Sequence, residues 1–226
     1  MIQLIHPFDD DTAFSDTEQA ALDPNGLLAI GGQLSAKRLL MAYESGIFPW
    51  YNSDDEPILW WSPDPRLVLF PASIKISRSL RKTLKKTAFT ITFDQAFEQV
   101  IDGCAAPRSD GEGTWITSSM RSAYLNLHQQ GYAHSVECWS EQTLVGGLYG
   151  MAMGKVFFGE SMFHQQPDAS KIALVHLAEF LKSEQYVMID CQVKTDHLIS
   201  LGAEEIPRIA FCDYLRSATP FQPQRW

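Results

Sequence analysis

The sequence of residues 144–163, LVGGLYGMAMGKVFFGESMF, contains two apolar, glycine-rich runs separated by a turn at Met153 and Gly154. A helical sequence that begins DASKIALVHL follows, and then the β-branched run VMIDCQV at residues 187–193. A further strand-like run precedes them, with a short turn at Ser140 and Glu141. This order predicts an antiparallel meander, a helix and a strand that returns to the same sheet.

Two polar residues interrupt the apolar run at 187–193. Asp190 and Gln192 are two positions apart, and residues at that spacing in a strand point to the same face. Burying a carboxylate and an amide is unfavourable unless both are hydrogen-bonded. The pair therefore indicates either a structural network or an active site. A second polar pair, Glu160 and Ser161, is expected at the end of its strand.

The composition predicts a soluble, globular protein. The 226 residues are 45% hydrophobic, which is enough to bury a core. The sequence has neither the pattern of a signal peptide nor an apolar run long enough to span a bilayer. Its four cysteines form no CxxC pair, and its six histidines form no cluster with metal-ligand spacing. We therefore expect reduced thiols and no metal.

Charge is distributed unevenly along the chain. The formal net charge of −9 argues against general nucleic-acid binding. However, residues 1–60 carry ten acidic and two basic side chains, whereas residues 66–93 carry seven basic and no acidic ones. Within the basic segment, SRSLRKTLKK predicts a helix capped by Ser77, with Leu80 and Leu84 facing inward. Its basic residues form either a solvated surface or a face that contacts phosphate.

A change of composition near residue 62 predicts the domain boundary. Residues 1–62 are expected to form a small α/β domain, with a helix capped by Ser35 and ended by Gly46. The prolines around Trp50, Trp60 and Trp61 disfavour regular structure there. Residues 63–226 are expected to form an α+β domain with a mostly antiparallel, acetyltransferase-like sheet.

Local signals predict three further helices in the second domain. The run DQAFEQVIDGC is expected to end at Gly103, and the next helix to be capped by Thr117. The third helix is capped by Asp168 or Ser170 and runs to about Ser183. The junction before it, HQQPDASK, lacks glycine, whereas acetyltransferases hold the pyrophosphate of coenzyme A on a glycine-rich loop at a helix N-terminus. Coenzyme A is therefore disfavoured as the acyl donor.

Several short motifs occur in a fixed order over residues 24–208. They are PNGLLAIGG, GIFPW, WWSPDPR, TWIT, HSVE, GGLYG, FFGESMF, DASK and IDCQV, followed by HL, SLGA and EIPR. Together they resemble the bacterial leucyl/phenylalanyl-tRNA-protein transferases. The resemblance implies transfer of Leu, Phe or, less well, Met from its charged tRNA to proteins that begin with Arg or Lys. It also implies a cytoplasmic role in N-degron proteolysis. A monomer is the default expectation.

The implied reaction requires no cofactor, metal or covalent nucleophile. The aminoacyl ester is already activated, so the enzyme must hold a neutral amine against the carbonyl and stabilise the tetrahedral oxyanion. What it needs is an apolar socket, an acidic group for the basic N-terminal residue and a place for the tRNA 3′ adenosine.

The resemblance assigns residues to these parts. Asp190 and Gln192 match a catalytic pair in which the carboxylate orients the amide. Because an amide is too weak a base to take a proton, Gln192 is expected to orient the attacking amine. Glu160, with Ser161, would bind the acceptor's cationic group. The socket would be lined by six residues, each of which could equally be plain core: Leu148, Phe157, Met162, Leu177, Leu181 and Ile189.

For the tRNA, Trp50 and Trp115 match aromatic residues near the 3′ adenosine. The basic segment would follow the acceptor-stem backbone, positioning the tRNA without reading its sequence. The residues concerned are Lys75, Arg78, Arg81, Lys82, Lys85 and Lys86. Two alternatives stay open: a coenzyme A-dependent N-acyltransferase, which the fold permits, and a non-catalytic adaptor for basic N-termini. The missing glycine-rich loop argues against the first, and the basic helix against the second.

Overall fold

The computed structural model describes residues 1–86, 89–107, 115–218, 222–223 and 226. Two β-sheets organise these residues, one of four strands and one of seven. Among the helices of this part of the chain, none combines the length and apolarity that crossing a membrane would require.

The four-stranded sheet is built from the N-terminal segment. Its strands, in chain order, are β1 (Gln3–Ile5), β2 (Leu27–Gly31), β3 (Phe48–Pro49) and β4 (Leu59–Trp61). Helix α1 (Ala36–Glu44) connects β2 to β3; as predicted, the Ser35 hydroxyl caps it and Gly46 follows it with a φ of 74°. The tryptophan-rich segment is more regular than predicted, since β3 and β4 pair antiparallel. Pro49 is tolerated because β3 is the edge strand.

The seven-stranded sheet confirms the α+β fold with mostly antiparallel strands. In spatial order it runs β11-β5-β10-β9-β8-β7-β6, and of these neighbours only β9 and β10 are parallel. The predicted meander is present as β7-β8-β9. The strands are β5 (Arg66–Leu69), β6 (Phe89–Phe93), β7 (Ala133–Ser140), β8 (Thr143–Met153), β9 (Val156–His164), β10 (Met188–Gln192) and β11 (Glu204–Ile206).

Six helices cover the described parts of this sheet and its connections. They are α2 (Arg78–Lys86), α3 (Phe97–Ala105), α4 (Ser118–Gln129), α5 (Ala169–Ser183), α6 (Asp196–Ser200) and α7 (Arg208–Ser217). The predicted caps of α2 and α4 are confirmed, because the hydroxyls of Ser77 and Thr117 accept backbone N–H groups of the first turns at 3.1 and 3.2 Å.

One prediction about a helix end is wrong, and another is right in position only. Gly103 lies inside α3, where a Cβ atom would approach the ring of Phe163 to 2.6 Å, so the glycine serves packing and does not end the helix. Asp168 occupies the predicted N-cap position of α5, but its side chain makes no capping hydrogen bond. Its carboxylate instead accepts hydrogen bonds from Thr83 of α2 and Lys171, each at 3.0 Å. Tertiary contacts decide both positions.

The seven-stranded sheet is packed on both faces. On one face, α1, α3, α4 and the four-stranded sheet share a core that includes Tyr43, Tyr124 and Tyr149. On the other face, α5 and α2 cover Leu148 and Phe157. Because the two sheets share one core, packing gives no sharp division at residue 62, and that boundary stays a prediction.

Candidate active site

The site lies where the parallel neighbours β9 and β10 stop pairing. The last pair in their register joins Phe158 to Asp190. Both strands continue beyond this pair, β9 to His164 and β10 to Gln192. The residues that follow it line a cavity of about 450 Å³ to which both strands contribute. That volume is typical of small-molecule sites.

A β-bulge places Glu160 at the cavity. Tyr149 and Gly150 of β8 pair with Ser161 and Gly159 of β9, so Glu160 between them has no partner in the register. The prediction that Glu160 lies at a strand end is therefore wrong: it lies within β9, and the bulge turns it towards the cavity. Ser161 lines the same cavity.

The cavity wall is mainly apolar and contains five of the six predicted socket residues: Leu148, Phe157, Met162, Leu177 and Ile189. The sixth, Leu181, is a correction: it is fully buried in the core one turn further along α5 and does not line the cavity. Leu174 lines it instead. Its position one turn before Leu177 on the same helix face was the signal that could have identified it.

Both predicted tryptophans line the cavity, together with Phe48 and Pro49 of β3. Trp50 is 43% exposed. One side of it packs near Trp61, with ring centroids 6.0 Å apart. Trp50 therefore packs near a neighbouring ring and leaves part of its own surface exposed beside the cavity.

Glu160 is the centre of a buried hydrogen-bond network. Tyr43 of α1 donates its hydroxyl to Oε1 at 2.7 Å, and Tyr124 of α4 donates to Oε2 at 2.9 Å. The two tyrosine hydroxyls also contact each other. The amide Nε2 of Gln192 donates to Oε1 at 3.3 Å. The carboxylate that contacts the Gln192 amide is therefore that of Glu160.

Burial gives this network its acid–base character. Burial raises the pKa of Glu160 to about 7, although the hydroxyls of Tyr43 and Tyr124 oppose the shift. Burial, and next the Glu160 charge, raise the pKa of both tyrosines well above the usual value. The tyrosines therefore remain hydrogen-bond donors at neutral pH, while Glu160 gains and loses a proton close to it.

Asp190 makes contacts other than those predicted. Arg66 donates Nε to Oδ1 at 2.8 Å and Nη2 to Oδ2 at 2.6 Å, and both side chains are fully buried. Oδ1 also accepts the backbone N–H of Gln192 at 2.9 Å. Asp190 thus holds the backbone of Gln192 and does not contact its side-chain amide.

The expectation that Asp190 and Gln192 share a strand face fails for a local reason. The register between β10 and β5 shifts between these two residues, and Gln192 has a φ of 61°. A left-handed conformation is uncommon for a residue other than glycine, and it turns the side chain out of the regular alternation. Gln192 lines the cavity as a result, whereas Asp190 lies outside the lining.

Arg66 belongs to the buried site and not to the basic surface. Its guanidinium lies between the rings of Phe48 and Phe211, at 4.8 and 4.5 Å from their centroids. Nη1 also donates to the carbonyl of Gly46 at 3.0 Å. Arg66 therefore joins the α1–β3 connection, α7 and β10 around one planar cation.

The six basic residues predicted to contact tRNA are all exposed: Lys75, Arg78, Arg81, Lys82, Lys85 and Lys86. Their helix, α2, is anchored by the buried Leu80 and the half-buried Leu84, as predicted. The contact of Thr83 with Asp168 ties α2 to the start of α5, whose next turns reach the cavity. The basic surface and the cavity are thus connected through one helix pair.

Sequence reasoning missed Tyr43, Tyr124 and Arg66. Tyr43 falls within the helix predicted between Ser35 and Gly46 but has no predicted role there, and its partner Glu160 lies 117 positions away. The one available signal was chemical, because a buried tyrosine hydroxyl on an apolar face needs a hydrogen-bond partner. The cysteines are reduced, as predicted: Cys104, Cys138, Cys191 and Cys212 form no disulfide.

Comparisons with known proteins agree with one another. The family model for leucyl/phenylalanyl-tRNA protein transferase matches residues 68–216, and the model for the N-terminal domain of that family matches residues 32–64. A protein of Nitrosomonas eutropha, named leucyl/phenylalanyl-tRNA–protein transferase, is 59% identical over 218 residues, which are 96% of this chain and 93% of that protein. A protein of Methylococcus capsulatus with the same name is 55% identical over 228 residues, 100% of this chain and 97% of that protein.

Among solved structures, a GCN5-related N-acetyltransferase from Kribbella flavida superimposes with a TM-score of 0.36 and 12% identity, over 78% of this chain and 63% of that one.

Proposed function

The chain belongs to the leucyl/phenylalanyl-tRNA protein transferase family and is an aminoacyltransferase, and from this premise we propose its substrates and the roles of its site residues. It transfers Leu, Phe or, less well, Met from aminoacyl-tRNA to the α-amino group of proteins that begin with Arg or Lys. The product enters the N-degron pathway of the cytoplasm. The observation that carries the proposal is the junction of an apolar cavity with the Glu160–Gln192 pair.

The apolar part of the cavity receives the side chain of the transferred amino acid. Leu148, Phe157 and Ile189 lie on neighbouring strands of the sheet, and Leu174 and Leu177 face them from α5. A single methylene distinguishes ligands by only about 1–3 kcal/mol, so the shape of this wall must reject β-branched side chains.

Gln192 holds the attacking amine. Its Nε2 is engaged by Glu160, so its carbonyl oxygen Oε1 is the end that accepts a hydrogen bond from the amine. An amide does not take the proton, which leaves through water or the ribose 2′-hydroxyl. In its ionised form, Glu160 attracts the cationic group of the acceptor, and Ser161 completes that part of the site.

Asp190 is a positioning residue in this arrangement. A non-glycine residue in the left-handed region is strained by on the order of 1 kcal/mol. The bond from the Gln192 N–H to the Asp190 carboxylate holds that conformation, and Arg66 holds the carboxylate in turn. Asp190 thus acts on the amine through the backbone of Gln192.

The tRNA end lies at the cavity mouth. The 3′ adenosine stacks on the exposed part of Trp50, with Trp115 beside the same opening. The basic residues of α2 and Lys75 contact phosphates of the acceptor stem, which contributes affinity and position but no sequence reading. Membership of an aminoacyltransferase family favours this function over the coenzyme A-dependent and adaptor alternatives.

The function is tested by transfer of radiolabelled leucine from leucyl-tRNA to a protein that begins with Arg. We expect transfer by the wild type and a loss of at least about tenfold in Gln192→Ala, which is about 1.4 kcal/mol of transition-state stabilisation. Gln129→Ala, which removes an exposed glutamine from α4, is the matched control. Folded wild-type protein that transfers nothing would contradict the function, whereas unchanged transfer by Gln192→Ala would contradict only the role of Gln192.

The basic surface gives a separate prediction. Replacing Lys82, Lys85 and Lys86 by alanine is expected to weaken binding of aminoacyl-tRNA and to flatten its salt dependence. If each lysine contacts one phosphate, the slope of log affinity against log salt falls by about 2–3, measured by filter binding between low and physiological salt. Lys37→Ala, which changes an exposed lysine of α1, should leave the slope unchanged. Equal slopes for the triple variant and the wild type would exclude this face as the tRNA contact.

A further inference from the structure

One wall of the cavity is braced by a residue far away in the sequence. Phe157 lines the cavity, and its ring centroid lies 5.5 Å from that of Trp226. The Trp226 ring stacks on His134 of β7 at 4.2 Å, with only 5° between the planes, and lies 4.9 Å from the ring of Phe180 in α5. Trp226 itself does not line the cavity. It therefore supports Phe157 from outside the cavity.

A second restraint on Phe157 comes from β8. A Cβ atom at Gly150 would lie 2.6 Å from Cζ of the Phe157 ring, so the ring occupies space that only glycine leaves open. The ring is thus held by the Gly150 backbone and by the Trp226 indole. Packed interiors transmit small changes of volume to their neighbours, so the position of this ring depends on both restraints.

We propose that Trp226 is a specificity-determining residue, which sets the depth of the apolar cavity by fixing Phe157 and thereby sets the ratio of phenylalanyl to leucyl transfer. This inference rests on the proposed function. A wall that cannot retreat limits the longest side chain that fits. Removing the indole leaves a void that the surrounding structure closes only in part. Phe157 can then move into the void to make room for a long substrate side chain, whereas a short side chain loses its contacts with the Phe157 ring.

The test measures transfer from phenylalanyl-tRNA and leucyl-tRNA, in competition, to the same protein that begins with Arg. In Trp226→Ala we expect the ratio of kcat/KM values to shift about tenfold towards phenylalanine, the size of effect that a change of one methylene produces in an apolar pocket. Trp226→Phe keeps an aromatic ring against Phe157 and should stay within about twofold of the wild type.

Trp139→Ala is the matched control, because it removes a half-buried tryptophan from β7 that does not line the cavity. Its ratio should equal that of the wild type. If it shifts as far as that of Trp226→Ala, the effect is a general loosening of the sheet and the proposal is overturned. Should Trp226→Ala fail to fold, Trp226→Leu and Trp226→Phe are compared, and equal ratios for these two overturn it as well.

A binding measurement separates this inference from the proposed function. Calorimetry with the 3′-leucyl and 3′-phenylalanyl amides of 3′-amino-3′-deoxyadenosine reports cavity fit without turnover. The same shift towards phenylalanine in Trp226→Ala supports the proposal. Unchanged ratios in a folded variant, with normal wild-type transfer, overturn the role of Trp226 alone. A wild type that neither transfers nor binds either amide overturns the proposed function, and this inference with it.

Discussion

Replacement of Arg66 by methionine is expected to lower the free energy of unfolding by about 3–5 kcal/mol, because removing one partner of a buried ion pair leaves the other without compensation. Asp190 is fully buried, and Arg66 donates to both of its carboxylate oxygens. The variant also loses the bond to the Gly46 carbonyl and the stacking between Phe48 and Phe211. Urea denaturation at neutral pH measures the change.

A second substitution separates stability from function. In the double variant Arg66→Met/Asp190→Leu, both charges are gone, and apolar replacements of a buried pair are often neutral. We therefore expect most of the stability to return but transfer to remain low, because the Gln192 N–H has lost its acceptor. Arg121→Met is the control: its pairs with Glu98 and Asp102 are partly exposed, and such pairs contribute little. If Arg66→Met and Arg121→Met lower the free energy of unfolding equally, the buried pair contributes no more to stability than the exposed ones.

Replacement of Glu160 by glutamine is expected to abolish the loss of stability with rising pH that this residue causes. Burial raises the pKa of Glu160 from 4.5 to about 7. Below pH 4.5 the group is protonated in both the folded and the unfolded state. Between the two pKa values only the unfolded state releases the proton, so this group lowers wild-type stability as pH rises, by about 3 kcal/mol in total. Glutamine has no such loss.

The measurement is chemical denaturation of both proteins between pH 5 and pH 8. The Glu160→Gln variant should gain stability relative to the wild type across this range by about 2.5 kcal/mol, because part of the total difference lies below pH 5. A constant difference at all pH values would mean that Glu160 is ionised throughout and would contradict the raised pKa.

Transfer gives a second readout of the same substitution. In the wild type, both Glu160 and the acceptor α-amino group, whose pKa is about 8, must lose a proton. Below pH 7 the slope of log kcat/KM against pH should therefore approach two. In Glu160→Gln it should approach one, at a lower absolute rate. Parallel profiles for the two proteins would contradict a role for the Glu160 charge in the reaction.

The helices and the meander could be predicted because their signals are local. The hydroxyls of Ser35, Ser77 and Thr117 each accept a hydrogen bond from the backbone N–H three residues later. Such short-range bonds can be predicted from the sequence. The same reliance on local signals gave the wrong prediction that Gly103 ends its helix. Glycine is needed at this position because the ring of Phe163 on β9 packs against it. The residues next to Gly103 in the sequence give no sign of that contact.

The residue types of the candidate site could be predicted, but their pairings could not. Asp190, Gln192 and Glu160 stand out because polar groups are rare in apolar strands. A bulge in β9 and a register shift in β10 determine which carboxylate contacts the side-chain amide of Gln192. Strand periodicity predicts neither irregularity. Arg66 could not be distinguished from the basic surface residues, because its partner lies 124 positions later. Leu174, by contrast, could have been identified from its position one turn before Leu177 on the same face of α5.

The long separations within the site have a consequence for the synthesis of the protein. Tyr43 meets Glu160 across 117 positions, and Arg66 meets Asp190 across 124. At roughly 5–20 residues per second, translation takes on the order of 10 s to pass from the first of these residues to the last. Until then a nascent chain holds Tyr43 without the carboxylate it donates to, and Arg66 without its counter-ion. This arrangement therefore first exists after Asp190 has been synthesised, and products truncated before that residue lack it altogether.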